Sequence, residues 1–281
     1  MNPSVRTFVA GVCGVAALAL LLARTEAGGD KGAWQPILSK EVYQELATRE
    51  AEAIKTILDG KPDEDALRRA KFGAVMLAAY TKSIQPQGGA DNQNLIGVRE
   101  RAVQLAGALK KDTLPRAQEL LKDILQAKTM SKSSPDQVHW DKLIERPDLM
   151  DHFRVKDKGG DGIHPDLQSN VRLKGALNGI EEKLRALGMK ELAAAGMKKE
   201  AKELELLAYR TAVVSSLTYY FAPAMKVGKK DPDEWRTLSL QSRDAAVSLA
   251  QAARKGDTAA VFKASNSLNS ACNQCHSTFR N

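Results

Sequence analysis

The chain ends in the sequence Ala271-Cys272-Asn273-Gln274-Cys275-His276-Ser277-Thr278-Phe279-Arg280-Asn281, which contains a C-x-x-C-H motif. This motif is typical of covalent attachment of c-type haem. Two thiols at this spacing can bond to the two vinyl groups of one porphyrin, and the adjacent imidazole can reach the iron from the same side. The motif therefore predicts one haem c, attached through Cys272 and Cys275, with His276 as the proximal iron ligand.

Two other kinds of site use the same residue types. A redox-active dithiol usually belongs to a βαβ unit, and a structural zinc ion takes four Cys or His ligands, with a second pair elsewhere in the chain. The sequence provides neither context, since its remaining cysteine, Cys13, lies in an apolar N-terminal run. Haem attachment is therefore the favoured interpretation, and the dithiol and the metal site remain the alternatives.

The composition favours helices. Of the 281 residues, 43% are hydrophobic and 27% are charged, but only 5% are aromatic. A chain with few aromatic residues and many Ala, Leu, Lys and Glu residues favours helices over sheets. Its length leaves room for two ordinary domains. We therefore expect an all-α protein.

Residues 1–27 resemble a secretory signal peptide. Arg6 precedes an apolar stretch over residues 7–23, and small residues lead up to Ala27, as at a signal cleavage site. The pattern predicts export to the periplasm, which agrees with haem attachment on the outer side of the bacterial inner membrane. An apolar stretch of this length is also close to the lower limit for a membrane span. Contact with a membrane is expected only if this segment is retained as an anchor.

The formal net charge of +8 gives a second indication about partners. Residues 1–30 contribute nothing to it, because two arginines balance Glu26 and Asp30. A basic surface can steer docking to an acidic redox partner. The lysines are not accompanied by a zinc-finger, helix-turn-helix or basic-aromatic signature, so nucleic acid is not expected as a partner.

Helical patterns fill the C-terminal part of the chain. Asp257 begins a pattern with apolar residues at steps of three and four, which places the motif on one side of a helix. Another helix is predicted from Pro232 to Lys255, ending at Gly256. Two earlier patterns cover residues 199–222, ended by a proline, and a leucine-rich stripe over residues 173–187. Four helices with short connections predict a four-helix bundle over residues 171–281.

The N-terminal half repeats part of this pattern. The segment Ala102–Thr113 resembles Ala246–Thr258, with one glycine inserted in the second segment. Residues 41–58 and 63–83 supply two more helical patterns. We therefore predict two four-helix bundles in tandem, the first over residues 32–130, related by duplication. Convergence between Ala-, Leu- and Lys-rich helices is the alternative.

The repeat predicts that the first bundle is free of haem. Carrying the register forward from Asp112 and Asp257 gives the positions that correspond to the motif. Those positions hold Ala127, Met130 and Ser131, opposite Cys272, Cys275 and His276. None of the three can attach a porphyrin, so the haem belongs to the C-terminal bundle.

Residues 131–170 are predicted to link the two bundles. A connection of this length is usually functional or flexible. It contains three histidines, His139, His152 and His164, and also Trp140. Each histidine could approach the iron, although a loop histidine is more often solvated.

The motif and its place in the last helix of a bundle resemble the class II cytochromes c, of which cytochrome c′ is the best-known type. The matching residues are Cys272, Cys275, His276, Phe279 and Arg280. The resemblance implies a haem wedged between the helices of the C-terminal bundle. It also implies that Arg280 lies near the haem edge or propionates and that Phe279 packs against the ring or the core.

The resemblance also bears on the sixth coordination position of the iron. Low-spin members of the family use a methionine in the first helix of the bundle, whereas residues 173–188 contain neither Met nor His. Met189, Met197 and Met225 lie near helix ends. This departure predicts a five-coordinate iron that serves electron transfer or binds NO or CO. A peroxidase-like enzyme, which would need distal acid-base groups, or a haem subunit of a redox complex is the alternative.

Overall fold

The computed structural model of the chain describes residues 32–84, 90–126, 138–155, 158–164, 167 and 179–280. Over these residues the prediction of an all-α protein is confirmed, since they form helices and only isolated β-bridges. In this described part, no helix combines the length and the apolar character needed to cross a membrane. The proposed signal peptide, residues 1–27, and the positions of Ala127, Met130 and Ser131 lie outside the described residues.

The first bundle consists of four helices, α1 (Lys40–Asp59), α2 (Glu64–Ser83), α3 (Ala90–Ala108) and α4 (Leu114–Leu125). Each helix packs on the next along the chain, and α1 also packs on α4. The Asp63 side chain begins α2 by accepting a hydrogen bond from the Ala66 N–H at 2.7 Å. Helices α1 and α2 correspond to the two helical patterns predicted from the sequence, residues 41–58 and 63–83.

The second bundle follows two short helices, α5 (Trp140–Leu143) and α6 (Arg146–Asp151). It consists of α7 (Ile180–Met189), α8 (Ala194–Thr218), α9 (Pro232–Lys255) and α10 (Thr258–Phe279). Helix α8 packs on α9, α9 on α10, and α10 on α7. Helix α9 has the predicted bounds, and Gly256 ends it in the left-handed region with φ +67°.

Two helix bounds differ from the sequence prediction. Helix α8 begins at Ala194 rather than Lys199, because its first turn buries Met197 in the core. Its α-helical part ends at Thr218, and a 3₁₀ turn continues over Tyr219–Phe221. The part of the predicted helix 173–187 before residue 179 lies outside the described residues.

The described part of the predicted linker 131–170 is packed between the bundles. Trp140 and Leu149 are fully buried, and the Trp140 ring lies 5.3 Å from the ring of Trp34. Helix α5 contacts α3 and the 3₁₀ turn, while α6 contacts α2 and α8. One hydrophobic core therefore includes residues from both bundles and from the connection.

Buried charged groups also join the bundles. Arg210 of α8 lies 2.7 Å from Glu50 Oε1 of α1 and 2.6 Å from Asp161 Oδ2 of the connection. His152 Nδ1 lies 2.5 Å from the same Asp161 oxygen, and its ring stacks on Phe72 of α2 at 4.1 Å. Buried charges are costly unless they are paired. These pairings therefore restrict how α1 and α2 can pack on α8.

The pKa values of the two carboxyl groups in this cluster are shifted in opposite directions. Burial raises the pKa of Glu50 to about 7, with Arg210 opposing the rise and Asp161 adding to it. Burial would also raise the pKa of Asp161, but His152 and Arg210 hold it well below its usual range. Asp161 is therefore ionised at neutral pH, whereas Glu50 is close to its midpoint.

The raised pKa of Glu50 predicts a specific pH dependence of stability. Its contribution is full below the unfolded-state pKa of about 4.3 and is lost as the pH rises through about 7. We expect the free energy of unfolding of the wild type, minus that of Glu50→Gln, to decrease between about pH 4.5 and pH 8. Urea denaturation at each pH measures this difference. The exposed neighbour Glu52 supplies the control, Glu52→Gln, and parallel profiles for wild type and Glu50→Gln would contradict the assignment.

Candidate haem-attachment site

Helix α10 carries the motif in its final turns. Its first turn is capped by Asp257, whose side chain accepts a hydrogen bond from the Ala260 N–H at 2.9 Å. The predicted apolar stripe faces the core, with buried side chains at Val261, Ala264, Leu268 and Ala271. Packing of this stripe against α9 and α7 fixes the orientation of the turns that follow.

The two cysteines pack against different apolar clusters at the edge of the core. Both Cys272 and Cys275 are free and partly buried. Cys272 packs against the main core, whereas Cys275 packs against a smaller cluster of Trp235, Leu238 and Phe279. Since residues three apart on a helix share a face, the thiols are available together to a ligand on that side.

Burial keeps both thiols protonated. It raises the pKa of Cys272 to about 11, with further rises from Cys275 and Glu181. It also raises the pKa of Cys275 to about 11, with Glu234 adding to the rise and Arg146 opposing it. Both groups are therefore neutral thiols at physiological pH.

The half-buried His276 imidazole favours its neutral form. Burial lowers its pKa, Arg280 lowers it further, and Glu181 opposes both effects. A neutral imidazole has one ring nitrogen with a free lone pair, which is the form that binds a metal. The arrangement therefore offers two thiols for covalent bonds and one nitrogen for an iron ion.

These properties distinguish the site from the alternatives considered in the sequence. Reactive dithiols have depressed pKa values, often at helix N-termini, whereas this pair lies near a helix C-terminus, where the helix dipole disfavours anions. The described residues contain no group of three or more His, Cys, Asp or Glu side chains that could hold a metal ion. The donor set fits attachment of a porphyrin, in which the iron comes with the cofactor.

Phe279 and Arg280 occupy different environments. Phe279 is buried, and its ring meets that of Trp235 edge-on with centroids 5.1 Å apart. Arg280 is exposed, and its backbone N–H bonds to the His276 carbonyl at 3.1 Å. Phe279 therefore packs within the bundle, and the propionate role of Arg280 stays a prediction.

Sequence reasoning missed Trp235 as part of this site. Its indole N–H donates to the Thr218 carbonyl at 2.6 Å, and the Arg146 guanidinium lies 5.6 Å from its ring centroid. The available signal was the first turn of α9, which follows Asp231-Pro232 and carries one of the three tryptophans of the chain. Nothing local links that turn to α10.

The linker histidines lie in other environments. His152 belongs to the buried cluster with Asp161 and Phe72. His164 Nδ1 lies 3.7 Å from Glu203 Oε2, and His139 immediately precedes α5. The suggestion that one of them reaches the iron finds no support in these contacts.

The comparisons with known proteins concern this same part of the chain. Residues 186–280 match the protein-family model described as Cytochrome C'. These residues form a cytochrome c′-like domain. A stretch of 48 residues is 50% identical to cytochrome c′ of Pararhodospirillum photometricum and covers 17% of this chain and 38% of that protein. The chain thus spans well under half the length of this curated relative, and no solved structure matched significantly.

The cytochrome c′-like domain contains α8, α9, α10 and the last part of α7. The resemblance stated from the sequence is confirmed for these residues. The cytochrome c′ family binds haem c, in agreement with the donor set of α10. Duplication of the domain in the first half of the chain stays a prediction.

The raised thiol pKa values predict slow alkylation of the cytochrome c′-like domain before it receives a cofactor. At pH 7 a thiol with a pKa of about 11 has far less thiolate than a free cysteine with a pKa of about 8.5. In protein produced without haem maturation, we expect iodoacetamide to alkylate Cys272 and Cys275 about tenfold more slowly than it alkylates the thiol of glutathione. Mass spectrometry of the peptide measures the rate. Labelling faster than glutathione would instead indicate a reactive dithiol.

Proposed function

We propose that the chain is an exported monohaem cytochrome that transfers electrons, or binds a small gas such as NO or CO, at a five-coordinate iron. The observation that carries this proposal is the C-x-x-C-H motif in the last turns of α10, inside the cytochrome c′-like domain. Cys272 and Cys275 form the two thioether bonds, and His276 supplies the proximal nitrogen. The haem supplies the redox and gas-binding chemistry, and the protein binds, orients and shields it.

The apolar surroundings of the motif support a shielded cofactor. Trp235, Leu238 and Phe279 form a buried cluster against Cys275. The hydrogen bond from the Trp235 indole to the Thr218 carbonyl fixes the orientation of that ring. A rigid apolar wall limits the access of water, which is one of the properties that set the potential and reactivity of a haem.

The described side chains of α7 support an open sixth position. Apart from Lys183, the buried residues of this helix are Ile180, Leu184, Ala186 and Leu187. Lys183 is already occupied, since it pairs with Glu200 and donates to the Leu167 carbonyl at 2.8 Å.

The methionines near helix ends do not offer an obvious iron ligand. Met189 and Met225 are 67% and 69% exposed, respectively. Met197 is buried in the first turn of α8. This distribution supports a five-coordinate iron, which can accept a diatomic gas.

One haem per chain follows from the cysteine count. The sequence has three cysteines, and the one outside the motif is Cys13, in the proposed signal peptide. Helices α2, α3 and α4 pack in the same order as α8, α9 and α10, and α1 packs on α4 as α7 packs on α10. This partial likeness supports duplication with loss of the cofactor, although the packing of α1 on α2 has no counterpart between the described residues of α7 and α8. Helices α1 and α2 pack on α8, so the first bundle acts as a built-in partner of the haem bundle.

Export and partner choice rest on the sequence. The signal-like residues 1–27 direct the chain to the periplasm, where haem attachment takes place. The net charge of +8 suits an acidic redox partner protein. Membrane contact requires retention of the N-terminal segment.

Absorption spectra of protein matured with haem test this proposal. We expect one haem per chain that resists acid-acetone extraction, a high-spin spectrum in the ferrous form, and a large spectral change when CO is added. His276→Ala should remove proximal ligation and alter the spectrum in both oxidation states.

Ser131→Ala provides the matched control, because this residue is the predicted counterpart of His276 in the haem-free half. Its spectra should equal those of the wild type. A protein without covalent haem would contradict the proposal as a whole. A sharp low-spin ferrous spectrum that ignores CO would contradict the open sixth position.

A further inference from the structure

Helix α7 runs antiparallel to α10 in a close register. The Leu184 carbonyl accepts a hydrogen bond from Asn269 Nδ2 at 3.0 Å. One turn further along α7, a Cβ added at Gly188 would lie only 2.6 Å from the same Nδ2 and 3.0 Å from Asn266 Oδ1. The residue number therefore rises along α7 as it falls along α10.

This register brings Glu181 to the motif. Glu181 lies one turn before Leu184, and one turn is about 5.4 Å along the helix axis. The residue of α10 at the same height is Cys272, and His276 follows one turn later. The Glu181 backbone N–H donates to the Phe153 carbonyl at 3.1 Å, which fixes the start of α7 at this height.

The charge of Glu181 acts on Cys272 and His276, the two motif residues that the register places nearest to it. It raises the pKa of both Cys272 and His276, whereas Arg280 lowers the pKa of His276. The remaining charges that act on the motif come from other elements, Glu234 of α9 and Arg146 of α6, and both act on Cys275. The charged groups that act on His276 are therefore the Glu181 carboxylate of α7 and the guanidinium of Arg280, the residue that follows α10.

We propose that Glu181 is a positioning residue for the iron potential, whose carboxylate stabilises the ferric form against the opposing charge of Arg280. This inference rests on the proposed haem attachment. Reduction adds one electron from the external donor to the ferric iron and leaves His276 neutral, so no proton is required. A nearby negative charge disfavours the added electron, and a nearby positive charge favours it.

A purely structural role for Glu181 makes a different prediction. An acidic residue in the first turn of a helix interacts favourably with the helix dipole, and α7 has two such residues, Glu181 and Glu182. The Glu182 carboxylate faces back along the chain, since a Cβ added at Gly179 would clash with its Oε2. Glu182→Gln therefore removes the same dipole interaction without removing the charge beside the motif.

The test is a spectroelectrochemical titration of the full-length holoprotein. We expect Glu181→Gln to shift the equilibrium towards the ferrous form by about threefold to tenfold, where tenfold is about 59 mV for a one-electron couple. Glu181→Lys should shift it further in the same direction, and Arg280→Gln should shift it in the opposite direction. The shifts should shrink at high salt, because exposed charges are screened.

Glu182→Gln should leave the potential at the wild-type value. An unchanged potential in Glu181→Gln, a shift no larger than that of Glu182→Gln, or a shift towards the ferric form would overturn the inference while leaving haem attachment intact. A holoprotein preparation without covalent haem would overturn both the inference and the proposed function. Thermal melts of the variants identify any loss of fold, and Glu181→Lys provides a second reading through its larger shift.

Discussion

Helix α10 buries one face and carries two cysteines and a histidine on its last turns. Its stripe from Val261 to Ala271 packs against α9 and α7. Cys272 and Cys275 lie at the edge of that packing, partly buried and protonated. If α10 rotated by even one residue, about 100°, the thiols and the imidazole would leave the apolar surroundings that prepare them for a cofactor. The packing of this helix is therefore the constraint on which the site depends.

The first bundle contributes to the same architecture through α8. Its helices α1 and α2 pack on α8, and α8 packs on α9, which supports α10. The junction contains Arg210, which bridges carboxylates of the first bundle and the connection. Residues 33–281 form one compact unit by their contacts.

Local sequence signals correctly predicted those helix ends that are determined by neighbouring residues in the chain. Asp231-Pro232, Gly256 and Asp257 fix the ends of α9 and α10 through capping and backbone conformation. The motif residues were identified because their chemistry depends on spacing within one helix. The pairing of Glu50 with Arg210 joins residues far apart in sequence, so no periodic pattern marks it.

Glu181 escaped notice for a related reason. As a sequence feature it is an ordinary acidic residue in a first helical turn, and its neighbours become known only from the register of α7 on α10.

The central claim is covalent attachment of one haem at the end of α10. Peptide mass spectrometry of the matured protein tests it most directly. The account predicts that the peptide with Cys272 and Cys275 carries the mass of one haem after acid extraction. Unmodified thiols on that peptide would contradict it.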